Sequence, residues 1–169
     1  MKLLRWSGYG FLSLVVLLIA LVFGARFADG PVGIIAGGAF TSGQPVVGDE
    51  PDWQFVRATD TVELQLIEPE RSRTTWIVEH DGRIFIPCGY MTTTWGKLWK
   101  KWPIEAERDG RAILRVDGKL YQRQLARITI GPVLEPVVEK LSEKYAVGAT
   151  VAAVHNDSPW IFELLPATL

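Results

Sequence analysis

Two runs of β-branched and apolar residues, each interrupted by an Asp-Gly pair, are the clearest pattern along the chain. Asp-Gly between such runs predicts a tight hairpin, because a type I′ turn needs positive φ at both central residues. The first hairpin would join residues 73–80 to 83–87 across Asp81-Gly82, and the second would join 112–116 to 119–130 across Asp117-Gly118. The two hairpins enclose a different pattern, so the order is strand, strand, helix, strand, strand.

The enclosed pattern has helical spacing. From residue 93 to residue 102, large apolar side chains recur at i, i+3, i+4 and i+7, while lysines occupy the other side. This predicts a short amphipathic helix that Pro103 stops. The apolar positions are Trp95, Leu98, Trp99 and Trp102, and the lysines are Lys97, Lys100 and Lys101. The tryptophans can pack into a core, or the helix can lie on a bilayer surface; the sequence leaves both open.

Weaker patterns complete the outline. Strict alternation predicts a half-buried strand at residues 61–67, preceded by a short turn or helix at 53–59. Apolar residues at helical spacing predict a second helix at 134–145. Two closing strands are expected at 150–154 and 160–165. The segment 105–111 carries charges of both signs and is expected to be a solvated connection.

The N-terminal segment has no such alternation. Residues 6–25 are 20 positions without a charge, and as a helix they would span roughly 30 Å, about the thickness of a bilayer core. This predicts a membrane anchor; a cleaved signal peptide is the alternative. Lys2 and Arg5 place the N-terminus in the cytoplasm by the positive-inside tendency, and the domain outside. Residues 29–51, with six glycines and three prolines, predict a linker, part of which lies on the domain as a strap.

Charge and composition exclude several classes of protein. Eighteen basic and nineteen acidic side chains give a net charge of −1, which argues against a nucleic-acid partner. One cysteine and two histidines have no spacing typical of zinc, so no metal is expected. His80 and His155 are expected to be solvated turn residues. Cys88 is expected to be packed, with a reactive thiol near the helix start as the alternative. Hydrolase and nucleotide-binding loop motifs are absent.

One group of polar and basic residues could bind an anion. Thr92, Thr93 and Thr94 precede the predicted helix and Lys97 lies in it, opposite a strand that carries Arg73, Thr74 and Thr75. Hydroxyl and backbone donors at a helix start, backed by lysines, favour a phosphate, and a flavin phosphate would fit there. The alternative is that the threonines only cap the helix and the lysines only solvate it.

At these residues the chain resembles the flavin-binding split β-barrel superfamily, which includes pyridoxamine-phosphate oxidase relatives and deazaflavin-dependent nitroreductases. The resemblance spans about residues 60–166. Its matching pieces are Arg73-Thr-Thr75, residues 81–87, residues 92–102, residues 112–121, and residues 160–166. It implies that Arg73 and Thr75 lie near the cofactor phosphate or ring, and that Thr92 and Lys97 hold the phosphate. The chain departs from the pattern at Trp102-Pro103 and in its basic residues.

Pattern and resemblance together predict a mainly β (α+β) protein. We expect a split β-barrel of about six antiparallel strands with two short helices, preceded by one transmembrane helix. The expected divisions are an anchor at 1–28, a linker or strap at 29–51 and the barrel at 52–169. The expected function is a membrane-anchored homodimer that binds FMN or deazaflavin through Arg73, Thr74, Thr75, Thr92, Thr93 and Lys97 and acts as an oxidoreductase. The alternative is a non-catalytic barrel without cofactor, presenting its Trp/Lys helix to a protein or a membrane.

Overall fold

The computed structural model describes residues 2–89 and 101–167, with side chains from Tyr9 onward. Four α-helices, one 3-10 helix and eight strands lie in this part of the chain. In chain order they are α1 (Lys2–Ala25), β1 (Gln44–Pro45), the 3-10 helix (Trp53–Ala58), β2 (Thr61–Leu66), β3 (Arg71–Trp76), β4 (Val78–His80), β5 (Arg83–Cys88), α2 (Trp102–Arg108), β6 (Arg111–Val116), β7 (Lys119–Ile128), α3 (Leu134–Tyr145), α4 (Val151–His155) and β8 (Trp160–Pro166).

The strands form one sheet in the order β3-β2-β6-β7-β8-β5-β4, and every pair along this path is antiparallel. The two-residue strand β1 lies off the path and pairs with β7 in parallel. The prediction of a mainly antiparallel β-fold with a few helices is thereby confirmed. Both Asp-Gly pairs form their hairpin turns, with Asp81 and Asp117 each at φ 50°.

The sheet closes on itself at Ile77. Strands β3 and β4 lie at opposite ends of the strand order, yet only Ile77 separates them in the chain. One bent segment therefore serves as both edges of the sheet, with Trp76 paired to Thr61 and Val78 paired to Phe85. If β3 and β4 are counted as one strand, the sheet forms a closed barrel wall of six strands.

The prediction of one continuous strand over residues 73–80 was wrong at Ile77, and α3 explains why. The backbone N–H of Ile77 donates to the Tyr145 hydroxyl at 2.9 Å, and the Lys144 ammonium donates to the Ile77 carbonyl at 2.9 Å. Lys144 also donates to the carbonyls of Val56 and Thr59. The last turn of α3 thus satisfies backbone groups that a sheet partner would otherwise take, and the strand can break there.

Inward-facing side chains of the closed wall form the main core. Leu64, Leu66 and Leu114 belong to it and are fully buried, as expected for the inner positions of strands β2 and β6. Two helical segments complete this core: the 3-10 helix contributes Trp53 and Val56, and α2 contributes Trp102 and Ala106. A second, smaller cluster packs α3 and α4 against the outer face of β5 and β8.

Three further predictions of secondary structure were wrong. Residues 150–154 do not form a strand; Thr150 is the N-cap of α4, where its side chain accepts from the Ala153 N–H, and residues 151–154 lie in the helix. Pro103 does not stop a helix; it lies in the first turn of α2, where its missing N–H costs nothing. The segment expected to be a charged connection is therefore largely helical. The helix predicted at 93–102 lies outside the described residues except for Lys101 and Trp102.

The glycine-rich segment crosses the outer face of the barrel, and residues 26–48 are called the strap below. Gly37 and Ser72 exchange two backbone hydrogen bonds at the free edge of β3. Farther along, the Phe40 N–H donates to the Gln65 side chain, and Gln44 and Pro45 pair with β7. The strap thus covers an exposed sheet edge and ties β3, β2 and β7 together.

Asp29 fixes the start of the strap. Its carboxylate accepts from the Ser42 hydroxyl, from the Thr41 N–H at 2.7 Å and from Arg115 at 2.9 Å. These contacts, led by the Ser42 hydroxyl, hold the pKa of Asp29 well below its usual range. Arg115 also pairs with Glu63, and its guanidinium lies 4.1 Å from the centre of the Phe40 ring.

Helix α1 precedes the strap. Most of its described side chains are apolar and exposed, including Phe11, Leu17 and Phe23. None of the helices, over the residues that the structure describes, is both long enough and apolar enough to span a bilayer.

Replacing Lys144 with methionine should destabilise the barrel. The change keeps the aliphatic stem but removes the donor that three carbonyl oxygens share and leaves the Thr59 carbonyl with no other donor among the described residues, so we expect unfolding to become easier by about 2 kcal/mol. Chemical denaturation of the full chain in detergent measures this. The control Lys119→Met, at an exposed lysine of β7, should change the value by less than about 0.5 kcal/mol. Equal stability of the two variants would show that Lys144 does not secure the closure.

Replacing Asp29 with asparagine should loosen the strap. A lowered pKa in the folded state means that the carboxylate stabilises the strap above its ordinary pKa of 3.8 and loses this effect as the pH falls below that value. Hydrogen exchange of residues 26–48 should therefore be slow in the parent protein at about pH 7, where Asp29 is ionised. The Asp29→Asn variant should exchange faster there, and Asp49→Asn, at an exposed carboxyl, should not. Unchanged protection in Asp29→Asn would contradict the assigned role.

Candidate functional site

The predicted site residues on β3 divide between the two faces of the sheet. Arg73 pairs with Leu64 and Thr75 with Val62, and both partners belong to the main core, so Arg73 and Thr75 share the inward face. Thr74 lies on the outward face, where its hydroxyl donates to the Gly33 carbonyl of the strap at 3.0 Å. The structure thus brings Arg73 and Thr75 together and separates Thr74 from them.

Arg73 is the most unusual side chain on this inward face. Its guanidinium carbon lies 5.1 Å from the centre of the Trp102 ring, within the range of a cation–π contact. Its Nε atom is buried and has no hydrogen-bond partner among the described residues. Burial lowers the pKa of Arg73 to about 10, and the nearby Glu105 carboxylate offsets only part of that effect. Arg73 therefore carries a positive charge that is poorly solvated and incompletely compensated.

The surroundings of Arg73 belong to the chain on either side of residues 90–100. Trp102 begins α2, and Cys88, which is buried and influences the pKa of Arg73, ends β5. The predicted site residues Thr92, Thr93 and Lys97 lie outside the described residues, so their distances to Arg73 stay predictions.

Arg71 is a second cation that the sequence-based prediction missed. It is two residues before Arg73 and pairs with the buried Leu66, so it shares the inward side of β3. Its Nη2 donates to the Ala36 carbonyl at 3.3 Å, while its buried Nε has no partner in the described part of the chain. Burial, followed by the like charge of Arg26, lowers its pKa. The i, i+2 spacing in Arg71-Ser-Arg73 was the signal that could have found it.

The two histidines differ in their surroundings. His155 ends α4 at an exposed position. The expectation that His80 is a solvated turn residue was wrong, because His80 ends β4, its side chain is only 19% exposed, and its buried Nδ1 has no hydrogen-bond partner among the described residues; its Nε2 lies 3.4 Å from the Asp81 carboxylate. Within residues 2–89 and 101–167, no three metal-binding side chains of the His, Cys, Asp and Glu types are grouped closely enough for a metal ion. The pair Arg71 and Arg73, with Trp102 beneath Arg73, is thus the arrangement best suited to bind a ligand, and the ligand it suits is an anion.

Comparison with known proteins gives only distant similarity. No family model and no curated protein matches the chain. One similar solved structure is the conserved hypothetical protein Rv2991 from Mycobacterium tuberculosis, with a TM-score of 0.48, 14% identity, and coverage of 73% of this chain and 82% of that chain. Another, from Listeria innocua, is described as a "Putative Pyridoxamine 5'-phosphate oxidase", with a TM-score of 0.46, 11% identity, and coverage of 67% and 88%.

Replacing Arg73 with methionine should leave the ligand-free protein at least as stable as the parent. The change removes a desolvated charge without an ion-pair partner among the described residues but keeps an unbranched side chain over Trp102, so we expect a gain of up to about 1 kcal/mol. Thermal and chemical unfolding measure it. A loss of about 2 kcal/mol or more would mean that Arg73 has a structural counter-ion, and would argue against a ligand site.

Proposed function

We propose that the chain is a membrane-attached split-barrel protein that binds a flavin or deazaflavin cofactor through its phosphate and acts as an oxidoreductase. The observation that carries this proposal is the Arg73 guanidinium, which faces inward over Trp102 with a buried Nε that has no described partner. A cation that is already desolvated by the fold loses little further hydration when an anion binds. Its charge-assisted hydrogen bonds to a phosphate are therefore strongly favourable.

The residues fit a phosphate group in kind and in number. Arg73 offers a planar fork of donors that matches two phosphate oxygens, and Arg71 adds positive potential from the same side of β3. Thr75 places a hydroxyl on the same face. Thr92, Thr93 and Lys97 would supply the remaining donors. Thr74 lies on the other face and contacts the strap, so its side chain would not contact the phosphate.

A bound flavin or deazaflavin would supply the hydride or electron transfer itself, and the chain's residues would bind it and orient it. Arg73 would hold the anionic end through its guanidinium. The Trp102 indole, which is buried in the main core, would keep water from the inner side of that contact and so strengthen it. No proton-transferring pair of side chains is needed for this role.

The proposal also includes attachment of the protein to the cytoplasmic membrane through residues 6–25. The sequence of this segment is uncharged and its described side chains are largely exposed and apolar, so a lipid environment would remove a large apolar surface from water. Lys2 and Arg5 favour an N-terminus in the cytoplasm and a barrel on the outer side. Association of two copies as a homodimer is part of the same proposal and rests on the resemblance of the sequence.

The decisive experiment is an absorbance and fluorescence titration of the detergent-solubilised full chain with FMN and with a deazaflavin coenzyme. We expect saturable binding of one of them, and Arg73→Gln should weaken it at least tenfold, about 1.4 kcal/mol, by removing the charge. Arg111→Gln is the control, because Arg111 is an exposed arginine paired with Asp109 on the protein surface. The unfolding curve of each variant shows whether it is folded.

A folded parent protein that binds neither compound would contradict the proposal and favour the non-catalytic barrel. Binding that is lost equally in Arg73→Gln and Arg111→Gln would also contradict it, because the effect would then come from overall charge rather than from the inward-facing site.

A further inference from the structure

We infer that the first loop of the strap, residues 27–35, is a second membrane contact, which dips into the polar–apolar boundary of the bilayer beside α1. This inference rests on the proposed attachment through residues 6–25 and goes beyond it. An anchor helix alone would leave the barrel free to swing about the chain that connects them. Two contacts with the lipid would give the barrel a fixed orientation.

Exposed apolar side chains are concentrated in this loop. Ile34 is 98% exposed, Phe27 is 78% exposed, and Val32 is also exposed. Val32 and Ile35 exchange two backbone hydrogen bonds, and Gly33 has φ +60°, so the loop is a tight turn that holds Ile34 outward. A single exposed apolar residue needs no explanation, but several in one ordered loop next to an apolar helix suggest an interaction with lipid.

The loop also lacks the charges that would oppose entry into lipid headgroups. In residues 27–48 the only charged side chain is Asp29. Its carboxylate is bound by Ser42, Thr41 and Arg115 and belongs to the contact between strap and barrel. Arg115 in turn is covered by the Phe40 ring. The loop therefore offers apolar side chains while its one charge is paired on the barrel side, which is the distribution that favours an interfacial position.

Contacts of side chains and backbone join the loop both to α1 and to the barrel. The Phe27 ring lies 5.6 Å from the Phe23 ring of α1, so apolar surface continues from the helix into the loop. The Gly38 N–H donates to the Ala28 carbonyl and closes the base of the loop, and the Thr74 hydroxyl donates to the Gly33 carbonyl. A position taken by this loop in the membrane is therefore transmitted to strand β3.

A second copy of the chain is a less suitable partner for the loop than lipid. Three side chains in one loop offer far less area than the roughly 800 Å² per partner that a stable protein interface buries. Lipid needs no complementary pocket, since its boundary region accepts isolated apolar and aromatic side chains.

The test uses the full chain with Ile34→Cys, labelled with an environment-sensitive fluorophore and reconstituted into phosphatidylcholine–phosphatidylglycerol vesicles. Native Cys88 is only 3% exposed, so labelling of the folded protein favours the introduced cysteine, and the unsubstituted chain gives the background. Ile130→Cys is the matched control. Ile130 is 78% exposed, but it lies beyond the end of the ten-residue strand β7, whose first residues pair with the strap.

We expect emission from position 34 to shift to shorter wavelength in vesicles and to be quenched roughly twofold by lipids that carry a quencher high on the acyl chain. Position 130 should show neither effect. Water-like emission at position 34 in protein that floats with the vesicles would overturn this inference and leave the attachment proposal standing. Protein that does not float would overturn both. A shift without lipid that grows with protein concentration would identify a second copy as the partner and overturn the lipid contact.

Discussion

The fold depends on one continuous peptide segment that forms both edges of the same sheet. Such a segment must leave one set of hydrogen-bonding partners and join another, and the backbone groups at the transition would be orphaned inside the protein. Lys144 and Tyr145 meet that requirement at Ile77. Because both lie in the last turn of α3, the closure of the barrel depends on a helix that packs outside it. The stacking of Trp76 on Tyr145, with ring centres 4.4 Å apart, holds the same corner together.

Closure also determines where the candidate site can be. Once β3 is part of a closed wall, alternate side chains of that strand must face inward, and two of them are arginines rather than apolar residues. A chain selected for stability alone would place aliphatic side chains opposite Leu64 and Leu66. The local conflict between an apolar face and two guanidinium groups is of the kind found at functional sites, where binding outweighs stability. It also explains why the Trp102 ring lies beside Arg73: an aromatic face is among the few apolar surfaces that tolerate a cation.

Sequence alone predicted the parts of the fold that local chemistry determines. The Asp-Gly turns and α3 follow from backbone preference and from apolar spacing, which need no distant partner. The break at Ile77 could not be predicted, because it depends on Lys144 and Tyr145, far along the chain. The misassigned segment 150–154 is apolar and short enough to suit either state, and the Thr150 cap decided it. For the candidate site, the sequence grouped Arg73, Thr74 and Thr75, but alternate residues of a strand face opposite sides, and the contact of Thr74 with Gly33 of the strap depends on a distant part of the chain.

Arg115 influences how the molecule would bear a pulling force. It joins Asp29, at the start of the strap, to Glu63 in β2 while it belongs to β6 itself. Tension applied along α1 would therefore reach β2 and β6 together through this guanidinium, in addition to the contacts of the strap with β3. Such a load would be shared between two strands that are hydrogen-bonded to each other, instead of acting on a single strand.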